Sequence, residues 1–179
     1  MTYSVVLREM LGLADELPLN EIPAIVRQLD AAERLYFYGV GRCGLVVRMF
    51  AMRLMHLGYT CHIVGDVTSP AARAQDLLLA ASGSGMTATT VQIAGTAAGL
   101  GMPVLLFTNN LAAPLAQSAS HTVYIPGVHK QAKIFTSQQP TGSLFEQMLL
   151  CFFEETICYL MRVRQLEGTA LMVHHANLE

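Results

Sequence analysis

A chain of 179 residues has the length of one domain, and 53% hydrophobic against 13% charged residues leaves it about half as charged as an average soluble domain. The net charge of −2 supplies no clustered basic surface for nucleic acid or an anionic membrane, so neither is an expected partner. Apolar surface in this excess has to be covered by an unusually large core or by another subunit, and we expect an obligate oligomer.

The opening MTYSVVLREM is polar, with no basic stretch leading into an apolar run, which argues against a secretory leader. Helical spacing runs over 3–16 and again over 20–33, the second segment with Asn20 as expected N-cap and Glu21 in its first turn. Two antiparallel helices are expected there. From Arg34 the pattern changes to short apolar runs bounded by glycine: LYFYGV (35–40), CHIVG (61–65), DLLLAAS (76–82), PVLLFTN (103–109) and HTVYIPG (121–127). These read as strands, mostly buried on both faces, with helices over 44–57, 87–100 and 112–119 between them. Such alternation predicts an α/β fold, a mainly parallel sheet with helices on both sides. Residues 128–141 are polar and patternless, a loop long enough to expect function. The stretch from Leu144 to Met161 is broken by Glu146, Gln147, Glu154 and Glu155, so it reads as a buried closing helix and not as a membrane span. One domain over 1–179 is expected, without repeat or linker. The cysteines Cys43, Cys61, Cys151 and Cys158 lie far apart with no CxxC pair, which predicts a reduced, cytoplasmic protein.

In open parallel sheets ligands bind beyond the carboxyl ends of the strands, so the strand-to-helix loops are the places to look for chemistry. GVGRCG (39–44) has the spacing G-x-G-x-x-G and, with Asp66 at the end of the next strand, formally satisfies a dinucleotide fingerprint. A tight turn that requires glycine has the same sequence, and Arg42 puts a side chain where such loops use backbone. SGSGMT (82–87) gathers the hydroxyls of Ser82, Ser84 and Thr87 at a helix start, with Gly83 and Gly85 between them. That composition suits a single phosphate held by the helix N-terminus, and it lacks the lysine of a nucleotide-triphosphate loop. A simple helix cap, which needs one hydroxyl, is the alternative.

Ser143-Leu-Phe-Glu146 is a capping-box spacing, in which the carboxylate only satisfies a backbone N–H. A buried carboxylate near a sugar phosphate could equally be the base that moves a proton between adjacent carbons, and spacing does not separate the two. The six histidines, His56, His62, His121, His129, His174 and His175, show no metal-ligand spacing, so no metal is expected. His56 is on the order of 18 Å along its helix from the glycine loop, so it could serve chemistry only across a subunit interface. Cys43, beside Arg42 at a helix start, reads as a residue lining a ligand.

Four motifs, GVGRCGLVVRMFAMRLMHLGY (39–59), LLLAASGSGMT (77–87), QPTGSLFE (139–146) and HANLE (175–179), make the chain resemble the sugar isomerase (SIS) domain, and within it the 6-phospho-3-hexuloisomerase family. The resemblance runs from about residue 34 to the end. It implies a three-layer αβα sandwich on a five-stranded parallel sheet, a homotetramer with sites at subunit interfaces, and a cofactor-free conversion between 3-hexulose 6-phosphate and fructose 6-phosphate through a 2,3-enediol. By position, Ser82, Gly83, Ser84, Gly85 and Thr87 would bind the phosphate. Gly41, Arg42 and Cys43 would line the sugar, Glu146 would be the base, and His56 would assist from a neighbour. Two residues depart from the family pattern: Cys43 stands where serine is usual and Met86 where a carboxylate is usual. Two other readings remain at this level, a non-catalytic phosphosugar sensor and a nicotinamide-dependent oxidoreductase resting on GVGRCG and Asp66.

Overall fold

All five apolar runs form parallel strands, and their burial follows their place in the sheet. The computed structural model describes residues 4–128, 137–175 and 177. β1 (Leu35–Gly39), β2 (Cys61–Ile63), β3 (Leu77–Ala81), β4 (Val104–Thr108) and β5 (His121–Tyr124) assemble in the order β2-β1-β3-β4-β5. Every residue of β3 and β4 is buried, as an uninterrupted aliphatic run requires when helices cover both faces. The two edge strands, β2 and β5, are the ones that carry histidine and remain partly open.

Alternation along the strands divides the core into two layers. Leu35, Phe37, Leu77, Leu79, Leu105 and Phe107 face α2 (Ile22–Ala31), α3 (Arg42–His56) and α6 (Ser143–Val163). Tyr36, Leu78, Ala80, Val104 and Leu106 face α4 (Ala88–Gly99) and α5 (Pro114–Ser118). The first layer is aromatic at its centre. Phe50 of α3 stacks on Phe153 of α6 with centroids 4.1 Å apart, and Phe107 meets Phe153 edge-on at 4.9 Å, an arrangement that ring quadrupoles favour.

The N-terminal segment is shorter in helix than its spacing predicts. α1 covers Val5–Gly12 and gives way to a 3-10 turn at Ala14–Glu16, and a second such turn at Leu19–Glu21 leads into α2. Asn20 is therefore not the cap. Glu21 holds that position without a side-chain bond, and Pro23 in the first turn, with its fixed φ and missing N–H, sets the start. Both α1 and α2 pack against α6. Most of the expected 128–141 loop, residues 129–136 with His129, lies outside the described residues, as does most of HANLE.

From β1 the chain moves outward to β2 and then returns past β1 to β3. The connections after β1 and β3 therefore diverge, and a crevice opens between them at the carboxyl edge of the sheet. Both glycine-rich loops lie there.

Candidate active site

GVGRCG turns in two residues from β1 into α3, which begins at Arg42 and so earlier than its apolar spacing suggests. Gly41 sits at φ +61°, and a Cβ on Gly44 would lie 2.5 Å from the carbonyl oxygen of Gly39. The glycines thus let helix and strand end approach closely and bring Arg42 and Cys43 to the crevice. Asp66 does not join them. It pairs with Arg48 at 3.0 Å and lines a separate cavity of about 280 Å³ beside α4, so the dinucleotide fingerprint is not assembled.

After β3, the N–H of Gly85 donates to Ser82 Oγ and that of Met86 to Ser84 Oγ, both at 3.2 Å, while the hydroxyls of Ser82 and Thr87 lie 3.2 Å apart. Thr87 occupies the N-cap position of α4, yet its side chain accepts no bond from the helix. Thr87 therefore does not cap the helix through its side chain, while Ser82 and Ser84 brace the turn that precedes it. Helix-end N–H groups without a capping side chain, with the dipole behind them, suit an anion. The end of β4 and the residues after it hold this loop from behind: Thr108 Oγ1 donates to the carbonyl of Gly83 at 3.1 Å and Asn110 Nδ2 to that of Ser84 at 3.0 Å. Gly85 faces away, where a Cβ would lie 2.4 Å from that of Ala113.

The third wall is the start of α6. Its N-cap is Gly142 at φ +90°, with Ser143 already the first helical residue and no side-chain cap bond. The capping box is absent. The buried carboxylate of Glu146 instead accepts from Arg42 Nε, 104 residues away in sequence. The Arg42 pKa is raised, first by this hydrogen bond and then by the carboxylate's charge. Its side chain is 62% exposed, so part of the guanidinium remains open to the crevice.

The result is a cleft of about 390 Å³, a size suited to a small ligand. Gly41, Arg42, Cys43, Ser82, Gly83, Ser84, Thr87 and Glu146 all line it. Gly85 and His56 do not. His56 ends α3, 4% exposed, its Nδ1 without a partner and its ring stacked on His175 at 5.2 Å. Burial first, then the charges of His175, Arg53 and His174, lower its pKa. Sequence reasoning did not single out Val40, Ala81, Thr141, Gly142 or Phe145, which complete the lining. The polar Thr141-Gly142 pair ahead of α6 was the available signal.

The SIS domain family matches residues 28–151. The 3-hexulose-6-phosphate isomerase of Mycobacterium gastri is 42% identical over 177 residues, 98% of this chain and 89% of its own length. The Bacillus subtilis enzyme of the same name is 34% identical over 97% of this chain and 95% of its own. Among solved structures, a Methanococcus jannaschii protein with an inferred function of 3-hexulose-6-phosphate isomerase superposes with a TM-score of 0.84. It is 28% identical and aligns over 98% of this chain and 97% of its own.

Proposed function

The chain belongs to the SIS domain family, and from that premise we propose that it interconverts 3-hexulose 6-phosphate and fructose 6-phosphate without a cofactor. The observation that carries this reading is a buried carboxylate, Glu146, across a small cleft from an uncapped helix start lined with hydroxyls. The helix start holds a phosphate and the carboxylate moves a proton.

The phosphate rests on the N-terminus of α4 with Ser82, Ser84 and Thr87, each charge-assisted hydrogen bond contributing about 1.5–3 kcal/mol. Glu146 removes the proton from C2 of the 3-ketose, and the electron pair forms the C2=C3 double bond as negative charge moves onto O3. The enediolate passes the O2 proton to O3, and return of a proton from Glu146 to C3 leaves the ketone at C2. Nothing is oxidised or reduced overall. Arg42 has one donor on the base, and the remainder of its fork is available to the oxygen on which charge develops. A sensor would need the phosphate cradle and not a buried proton acceptor, which is why we favour the enzyme.

Cys43 and Met86 replace the hydroxyl and carboxylate usual at their positions. They therefore bear on which sugar hydroxyls are accepted, because an unmatched buried polar group dominates discrimination. We further propose a homotetramer of this single-domain chain in which the end of α3, where His56 packs on His175, meets a neighbour's cleft and His56 assists there. A cytoplasmic location is part of the proposal, supported by four cysteines that form no disulfide with one another. The deciding experiment is a coupled assay of fructose 6-phosphate formed from 3-hexulose 6-phosphate. No product above the uncatalysed rate would overturn the reading.

A further inference from the structure

Helix α1 lies outside the span matched by the SIS domain family, yet one of its side chains reaches the segment that opens the active-site wall. Glu9 accepts from the hydroxyl of Ser137 at 2.6 Å, the backbone N–H of Gln138 at 2.7 Å and the side-chain amide of Gln139 at 3.0 Å. The Gln139 N–H in turn donates to Ser137 Oγ at 3.1 Å, and its amide oxygen accepts from Gln147 Nε2 at 2.8 Å. Gln147 follows Glu146 on α6. Pro140 continues the line, its carbonyl accepting from the N–H of Ser143 at 3.0 Å. Between these two attachments lie Thr141 and Gly142, which line the cleft.

We infer that Glu9 is a positioning residue for the active site: through Ser137, Gln138 and Gln139 it fixes the turn that begins α6, and with it the direction of the Glu146 carboxylate. The inference rests on the reading of Glu146 as base. The first turn of α6 starts from a left-handed glycine with no side-chain cap, so its entry direction depends on what grips the preceding residues. Gln139 is 9% exposed, and a buried amide bonded on both sides has little freedom to turn. The three hydrogen bonds also lower the Glu9 pKa, Ser137 contributing most, then Gln138 and Gln139. Misplacing a catalytic group by about 1 Å can cost on the order of 10² in rate, so modest loosening here should be visible in turnover. The phosphate loop takes its hydrogen bonds elsewhere, from Thr108 and Asn110, and meets α6 through the apolar contact of Gly83 with the Phe145 ring, so its response should be small.

The test is Glu9→Gln, in which an amide NH2 replaces one acceptor oxygen and meets a donor. Expected are faster amide hydrogen exchange over 140–146, a fall in kcat of about tenfold or more, and little changed affinity for inorganic phosphate by calorimetry. Ser137→Ala, which removes one donor, should move both readouts in the same direction. Gln139→Ala combined with Glu9→Gln should cost little more than the worse single change, because both act through one network. Unchanged exchange over 140–146 in Glu9→Gln would overturn the clamp. Faster exchange with wild-type kcat would overturn the positioning role. A folded Glu146→Gln variant with wild-type turnover would remove the base assignment and the positioning inference with it, whereas the exchange measurement would still judge the contact itself.

Discussion

A carboxylate that completes a capping box turns back to the start of its own helix, whereas Glu146 reaches across the cleft to Arg42, and this separates its two readings. Glu146→Gln preserves size and can still accept from Arg42, which is mostly in solvent, so thermal stability should barely change. An amide cannot take a proton from carbon, so turnover should fall by about 10² to 10⁴ while substrate binding survives. Steady-state kinetics with a parallel calorimetric titration checks both, and wild-type turnover would remove Glu146 from the mechanism. At the far end of α3, His56 is a different case. Its folded pKa lies below the ordinary 6.5 because burial disfavours the charged ring and His175, Arg53 and His174 repel it. Below about 6.5 the unfolded chain gains a proton that the folded chain resists. The contribution of neutral His56 is thus complete above that value and is lost as pH falls through the folded pKa. Melting temperature followed from about pH 8 to pH 5 should decline more steeply in the wild type than in His56→Gln. Parallel declines would show that another group is responsible.

The elements that position these groups depend on one close contact, between the end of β1 and the start of α3. At Gly44 two effects of an alanine substitution oppose each other. Helix propensity favours alanine by about 1 kcal/mol. Sterics oppose it, since the new Cβ would lie 2.5 Å from a backbone oxygen of Gly39 that has no flexible end to yield, and such overpacking costs about 1–3 kcal/mol. Gly44→Ala should therefore be destabilising on urea denaturation. It should also lose activity, because the helix that shifts carries Arg42 and Cys43. A more stable, fully active variant would show that the contact relaxes. The same region marks how far the sequence could be read. The strands were legible because two-sided burial makes β3 and β4 unbroken aliphatic runs, and the glycine loops because glycine is required where space is tight, against backbone at Gly44 and against the Ala113 side chain at Gly85. Helix starts were less legible. α3 begins inside a motif that looks like loop, and Gly142, not Ser143, caps α6 because a left-handed residue can end a turn without any side-chain bond. The Arg42–Glu146 pair and the Glu9 clamp join residues more than 100 positions apart, and no periodicity encodes such a contact.

For the whole molecule, the low charge of the sequence has a visible location. α3 turns Val47, Phe50 and Leu54 into the core and leaves Leu45, Met49 and Met52 on one outward stripe, 64%, 45% and 46% exposed. An apolar helix face of this kind is where we expect a subunit contact, and the same helix ends at His56. We predict that light scattering at micromolar concentration gives about four times the 19.5 kDa of one chain. Leu45→Glu with Met49→Glu should lower that mass without unfolding the core. Should His56 serve a neighbour's cleft, the assembly and the chemistry become one question, which two inactive variants can answer. Glu146→Gln and His56→Ala would each be defective alone. Mixed and allowed to exchange subunits, they form some clefts with Glu146 from one parent and His56 from the other, and activity should recover to about a quarter of the wild type for random pairing. Exchange demonstrated by mass spectrometry without any recovery would place both groups' actions within one chain or remove His56 from the reaction.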